Sequence, residues 1–205
     1  MKTTKRYCKA CFEEIVPGSP FTILLASPLL CDACLAKAHR IWQWERQGDM
    51  RIFFVFAYAS PVKDWLYRYK ALNDYELRNV FFYPFAPLVR FIFPGYLLAP
   101  LPTTSLARER RGFDHLCGMA ENLGVPVIDV FAKSAGPSQK ELGRRERLNV
   151  GQRISVHGGE NVRGRKIILF DDVMTTGSTM EACLKAIQPY GPRRVSGLVL
   201  MKNDK

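Results

Sequence analysis

Apolar positions fall into short blocks separated by polar and glycine- or proline-bearing stretches, and their spacing predicts the elements. The blocks MRIFFVFAYA (50–59), Tyr96–Pro100, Pro126–Phe131, Lys166–Phe170 and Val195–Val199 read as strands, apolar enough to be buried on both faces. Helical spacing recurs in 61–80, where Val62, Leu66, Tyr69, Leu72 and Leu77 share a face, and in 105–123 and 178–188. The run LAKAHRIWQWERQ, 35–47, also reads as a helix that ends before Gly48. Residues 79–99 are aromatic and broken by Pro84, Pro87 and Pro94, so they are expected to pack against other elements. Strands alternating with helices predict an α/β fold: an open parallel sheet with helices on both faces. Between two of the strands, 133–153 is polar and contains Gly136, Gly143 and Gly151. It reads either as a lid, with Gln139, Arg145, Arg147 and Asn149 as its candidate ligand residues, or as a surface insertion.

Composition narrows the class. The 205 residues are 47% hydrophobic, enough for a real core and too apolar for a disordered chain. The apolar region from Phe81 to Leu101 holds Arg90 and several prolines, so no membrane span is expected. The basic N-terminus runs into acidic residues and cysteines instead of a signal peptide's apolar stretch, and a cytoplasmic protein is the expectation. The net charge of +11 suits a polyanion, either nucleic acid or a small ligand with several phosphates, though simple solubility is a third use for it.

Four of the six cysteines form two pairs, Cys8-x2-Cys11 and Cys31-x2-Cys34. Each pair lets one tight turn present two sulfurs to one ion, the arrangement of a closed structural zinc site. Redox pairs or an iron–sulfur cluster are the alternatives. A module this small lacks a core of its own, and a bound ion would supply the missing folding energy. His39 is surplus to a four-sulfur shell and reads as a surface or packing residue, while Cys117 and Cys183 read as apolar filler in helices. The expected division is a zinc-binding module at 1–47 and a catalytic body at 48–205.

The strongest chemical signal is KIILFDDVMTTGSTMEACLKAI, 166–187. An apolar strand runs into Asp171 and Asp172, then a turn of small residues, Thr175, Thr176, Gly177, Ser178 and Thr179, opens a helix. Ligands bind beyond the carboxyl ends of parallel strands, and a helix's first turn offers unpaired amides to an anion. Gly177 allows close approach or a positive φ. The pattern predicts a cradle for one phosphate monoester. Two carboxylates beside a phosphate fit a ribose 5-phosphate, whose hydroxyls need acceptors and whose carbon 1 gains positive charge during displacement. A pyrophosphate on that ribose would bring magnesium.

This loop resembles the phosphoribosyltransferase signature, and the whole chain is similar to the ComF family, associated with competence for DNA uptake. The likeness rests on the paired cysteines, Tyr69-Lys70, APLPTTSLARERRGFDH (99–115), SQKELGRRERLNV (138–150) and FDDVMTTGST. It implies a phosphoribosyltransferase-like body that takes phosphoribosyl pyrophosphate and magnesium, with Asp171 and Asp172 at the ribose and residues 175–179 at the 5-phosphate. Pro102 and Thr103 resemble the pyrophosphate loop of that superfamily, and Arg108, Arg111 and Lys70 are candidate phosphate ligands or parts of a solvated basic face. Two features depart from the family. Asp114-His115 stands where asparagine and glutamine are usual, and the stretch 139–149 is about one residue short. No side chain reads as a general base other than Asp172, and the nucleophile is not legible. Two functions therefore stand side by side: an active phosphoribosyltransferase, and a non-catalytic competence factor that binds single-stranded DNA or partner proteins. Trp42, Trp44, Tyr67 and Tyr69 are the candidate base-stacking residues for the second, with core packing the expected use of most of them.

Overall fold

The computed structural model describes residues 5–16, 29–133 and 154–203. A five-stranded sheet organises the chain, in the order β1-β2-β7-β6-β3. The strands are β1 (Arg40–Gln47), β2 (Met50–Ala57), β3 (Tyr96–Pro100), β6 (Lys166–Met174) and β7 (Arg194–Lys202). β2, β7, β6 and β3 run parallel; β1 is antiparallel to β2 at one edge. β4 (Phe131–Lys133) and β5 (Ile154–Val156) form a separate antiparallel pair.

The central strands are apolar runs because both faces are covered. On one face Phe82 meets Phe170 and Phe93 meets Phe53, at ring-centroid distances of 5.5 and 6.4 Å. Phe82 and Phe93 come from the aromatic stretch 79–99, which holds a short 3-10 turn (Tyr83–Phe85) and α3 (Ala86–Ile92) before β3. On the other face Met180 of α6 (Ser178–Ile187) lies over Ile52 and Gly197. A β-carbon at Gly197 would stand 2.9 Å from both side chains, so glycine there sets how close α6 sits to the sheet.

Four expectations change. The helix expected over 35–47 is a short one, α1 (Asp32–Lys37), followed by β1. Residues 40–47 carry strong helix formers, but they pair with β2 through a turn at Gly48 (φ 56°), covering an edge of a buried strand. They therefore join the sheet rather than closing the cysteine module. The helix expected over 105–123 breaks at Gly112 (φ 76°) into α4 (Ser105–Arg111) and α5 (His115–Ala120), where Asp114 caps α5 by accepting from the amides of Leu116 and Cys117. The strand expected at Pro126–Phe131 is reduced to one parallel bridge between Val127 and Leu98, with the ladder proper starting at Phe131. The strand expected to stop at Phe170 runs on to Met174, so both aspartates lie within it. The candidate lid residues Gln139, Arg145, Arg147 and Asn149 lie outside the described residues.

Candidate functional site

The loop after β6 is built as the sequence pattern requires. Gly177 takes a left-handed conformation (φ 72°) and begins α6. The Thr176 hydroxyl donates to Ser178 Oγ (3.1 Å) and accepts from the Ser178 amide (3.4 Å), closing the turn on itself. Thr175, Thr176 and Ser178 are exposed, Thr179 is half-buried and Gly177 is buried, and the first-turn amides of the helix are those that lack intrahelical partners. A β-carbon at Gly177 would run into the carboxamide of Gln47, whose Nε2 donates to the Thr176 carbonyl (3.0 Å). Gln47, at the end of β1, is thus a neighbour of the loop that no motif announced.

The two aspartates differ because successive strand residues face opposite sides of a sheet. Asp171 is half-buried and accepts from the Asp172 amide (2.9 Å). Asp172 is 5% exposed, and its Oδ2 accepts from Lys70 Nζ (2.6 Å) with His115 Nε2 at 3.2 Å. Burial alone would raise its pKa, but the His115 hydrogen bond and the Lys70 charge overcome burial and hold the carboxyl well below the usual carboxylate range. His115 shifts down: burial disfavours the imidazolium, against the pull of Asp172. Its Nδ1 is buried and has no hydrogen-bond partner among the described residues.

Lys70, expected as a phosphate ligand or part of a solvated basic face, lies on α2 (Val62–Ala71) and makes an ion pair with Asp172. Pro102 and Thr103 follow β3, which neighbours β6 in the sheet, so both loops leave the same sheet end. Arg108 and Arg111 part company. Arg108 pairs with Asp114 at 2.9 Å on the surface. Arg111 turns inward, close enough for its charge to act on His115, and its Nε and Nη2 are buried without a hydrogen-bond partner among the described residues. Buried guanidinium donors left open fit an anion, so the residues present suit a phosphate-bearing ligand. His115 is the site residue that sequence reasoning missed: it was noted only as a departure from the family pattern, whereas it is the buried partner of Asp172.

The four paired cysteines converge. Their sulfurs all lie within 4.8 Å of one another, with Cys11 and Cys31 at 3.7 Å, and none is in a disulfide. A tetrahedral site with bonds of about 2.3 Å needs sulfurs about 3.8 Å apart, so the cluster fits a single ion of that kind. Burial alone would raise the Cys8 thiol, but hydrogen bonds from neighbouring backbone lower its pKa to about 7, whereas burial pushes the Cys11 and Cys34 thiols up. His39 is exposed, as expected of a residue outside the shell.

Tyr69 is excluded as a base-stacking residue: it is fully buried and its hydroxyl donates to the His115 carbonyl (3.0 Å). Trp44 packs against Phe53 and Phe93. Trp42 and Tyr67 keep exposed rings. Cys183 is buried as expected, and Cys117 is half-buried.

Comparison with known proteins places this geometry. Residues 106–205 match the phosphoribosyl transferase domain family. The curated protein "Competence protein ComFC" of Streptococcus pneumoniae is 27% identical over 148 residues, covering 72% of this chain and 66% of that protein. Its namesake in Bacillus subtilis is 28% identical over 152 residues, covering 73% and 63%. The chain is thus similar to these ComFC proteins over nearly three quarters of its length, and its C-terminal half to the phosphoribosyl transferase domain. It spans roughly two thirds of the length of these curated relatives. Among solved structures, a hypoxanthine-guanine phosphoribosyltransferase from Bacillus anthracis is similar with a TM-score of 0.42 at 12% identity, covering 63% of this chain and 70% of that one. The chain carries the loop 175–179, both aspartates and the two cysteine pairs, with His115 against Asp172. No described helix is long and apolar enough to cross a membrane.

Proposed function

We propose that this protein binds phosphoribosyl pyrophosphate with magnesium at the carboxyl ends of β3 and β6. The observation that carries the reading is the turn 175–179, with exposed side chains at Thr175, Thr176 and Ser178, beginning three residues after Asp172, a buried carboxylate paired with Lys70. The 5-phosphate takes the amides and hydroxyls of 175–179. Asp171 and Asp172 serve the ribose, Pro102 and Thr103 line the pyrophosphate, and Arg111 offers it unspent donors. Magnesium, when bound, neutralises the leaving diphosphate. The residues then support displacement at ribose carbon 1, with Asp172 stabilising the positive charge that develops there. Zinc in the four-cysteine cluster is structural, since four sulfurs leave no open position. The setting we infer is the cytoplasm, in competence and DNA uptake.

A second reading keeps the ligand site and drops the chemistry: a competence factor that binds single-stranded DNA or partner proteins. The net charge of +11 and the exposed rings of Trp42 and Tyr67 favour it. Titration calorimetry with magnesium and phosphoribosyl pyrophosphate tests the first reading. Binding heat in the wild type, lost in Asp172→Asn, supports it. Absence of heat from a folded, metal-loaded protein overturns it. Anisotropy with a labelled single strand across a salt series tests the second, which fails if no binding occurs at low salt.

A further inference from the structure

Three consecutive residues of α2 reach three different parts of the molecule. Helical geometry turns successive side chains by about 100°, and here each direction ends on a specific partner. Arg68 points to the cysteine module: its Nη1 donates to the Ala10 carbonyl (2.6 Å), between Cys8 and Cys11, and its guanidinium lies 5.2 Å from the Phe12 ring centre. Its Nη2 is held by Asp74 at 2.7 Å. Tyr69 points to α5, where its hydroxyl donates to the His115 carbonyl and its ring packs on Phe113 at 5.1 Å. Gly118 makes room for it, because a β-carbon there would stand 2.6 Å from the hydroxyl. Lys70 points to Asp172. A second strut joins the module to the segment after α2, with Lys9 Nζ at 2.9 Å from Glu76.

We infer that α2 couples the four-cysteine module to the ribose-facing carboxylate, with Arg68 as the positioning residue: an ordered module fixes Arg68, Arg68 fixes the helix, and Lys70 and Tyr69 thereby fix Asp172 and His115. The coupling follows from rigidity. The module is too small to order itself without an ion, and the Ala10 carbonyl that Arg68 grips lies in the turn that a metal would hold. Loss of the metal releases that carbonyl, and Arg68 keeps only Asp74. The helix, still held by its buried Val62, Trp65 and Leu66, then loses its tie to the module, two residues from the lysine that neutralises a buried carboxylate. Coupling between two sites is reciprocal, so a ligand that engages Asp172 tightens the module in return. The mechanical link is a property of the chain itself. Its effect on ligand affinity rests on the proposed binding of phosphoribosyl pyrophosphate, and the two are read separately.

The test uses the full chain, zinc-loaded and after chelator stripping. Hydrogen exchange by mass spectrometry follows 62–71 and 114–120. Stripping should raise exchange in both by at least about fivefold, the lower end of typical site–site coupling, while 194–202 stays protected. The inference is overturned if exchange rises within 5–16 and 29–37 alone. In zinc-loaded protein, Arg68→Met should reproduce the rise in 62–71 and 114–120 with metal content still at one per chain, and Arg68→Lys should restore most of the protection. An Arg68→Met protein with wild-type protection sinks the role of Arg68. If Arg68→Met does not fold, the stripping experiment and Arg68→Lys decide. The ligand arm measures zinc release to a chromogenic chelator with and without phosphoribosyl pyrophosphate and magnesium. A ligand-dependent slowing of about fivefold in the wild type, absent in Arg68→Met, is expected. Ligand that binds by calorimetry without slowing release overturns the reciprocal link. Absence of binding in the wild type counts against the proposed function alone, and the exchange data still decide the link.

Discussion

Replacing Lys70 by methionine isolates the interaction on which the site geometry depends. The methionine keeps most of the stem and removes the charge from a 2.6 Å ion pair with a carboxylate that is 5% exposed. At an effective dielectric of 20 the gross attraction at that separation is about 6 kcal/mol, much of it offset by desolvation. Removing one partner of a fully buried pair costs about 3–5 kcal/mol. Lys70 is about one-third exposed, and His115 still reaches the same oxygen, so the expected loss is smaller, about 2–3 kcal/mol at pH 7. For a chain of this length that lowers Tm by about 5–10 °C. Urea unfolding in zinc-containing buffer measures it. Asp172→Asn relieves the variant, because an amide needs no counter-charge. The double variant should then be more stable than Lys70→Met alone by about 1 kcal/mol or more, a positive coupling in the double-mutant cycle. A Lys70→Met protein within about 0.5 kcal/mol of wild type, or a cycle with no coupling, would show that the pair does not anchor Asp172.

Cys31→Ser should lose bound zinc, from about one per chain by elemental analysis, with faster proteolysis near the N-terminus; full metal content in the variant would refute the four-sulfur assignment. Gly177→Val should abolish phosphoribosyl pyrophosphate binding by calorimetry. It should also cost about 1–2 kcal/mol or more, because a β-branched residue would sit at φ 72° against Gln47, and a stable variant that binds normally refutes the cradle. Burial lowers the His115 pKa below that of the unfolded chain, about 6.5, against the opposing pull of Asp172. Between the two values the unfolded chain binds more protons, so stability falls as pH drops below about 6.5, by up to about 1.4 kcal/mol per pH unit. His115→Gln should flatten that part of the urea-midpoint profile between pH 7.5 and 5; an unchanged slope refutes it.

The sheet was legible where strands are buried on both faces. MRIFFVFA and KIILF have no polar alternation to confuse, and both became central strands. The edge was not legible. In RIWQWERQ the residues Gln43, Glu45 and Arg46 have good helix propensity, and only the neighbouring apolar strand, which needs a partner, decides for β1. The break in 105–123 had a visible cause in Gly112 and a capping aspartate at 114, yet apolar periodicity on both sides bridged it. The parallel bridge at Val127 has no local signal, because it depends on how a loop passes beside β3.

At the site, contiguous chemistry was legible and assembled chemistry was not. The cysteine pairs and the loop 175–179 each lie within short windows, where spacing alone fixes what can meet. Lys70 and Asp172 are 102 residues apart, and His115 is 57 residues before Asp172. In the sequence, Asp114-His115 stands out only as a departure from the asparagine and glutamine usual in the family. In the fold the two residues do separate work: Asp114 caps α5 and pairs with Arg108, and His115, itself buried, lies against Asp172. This division bears on the missing general base. Asp172 was the sole candidate, but a carboxylate held as an anion by a lysine and an imidazole is a poor proton acceptor, because its conjugate acid is disfavoured. Its value lies in staying charged. On the proposed reading, the Asp172–His115 pair favours electrostatic stabilisation of a developing cation over proton abstraction, and the nucleophile's proton goes to another group.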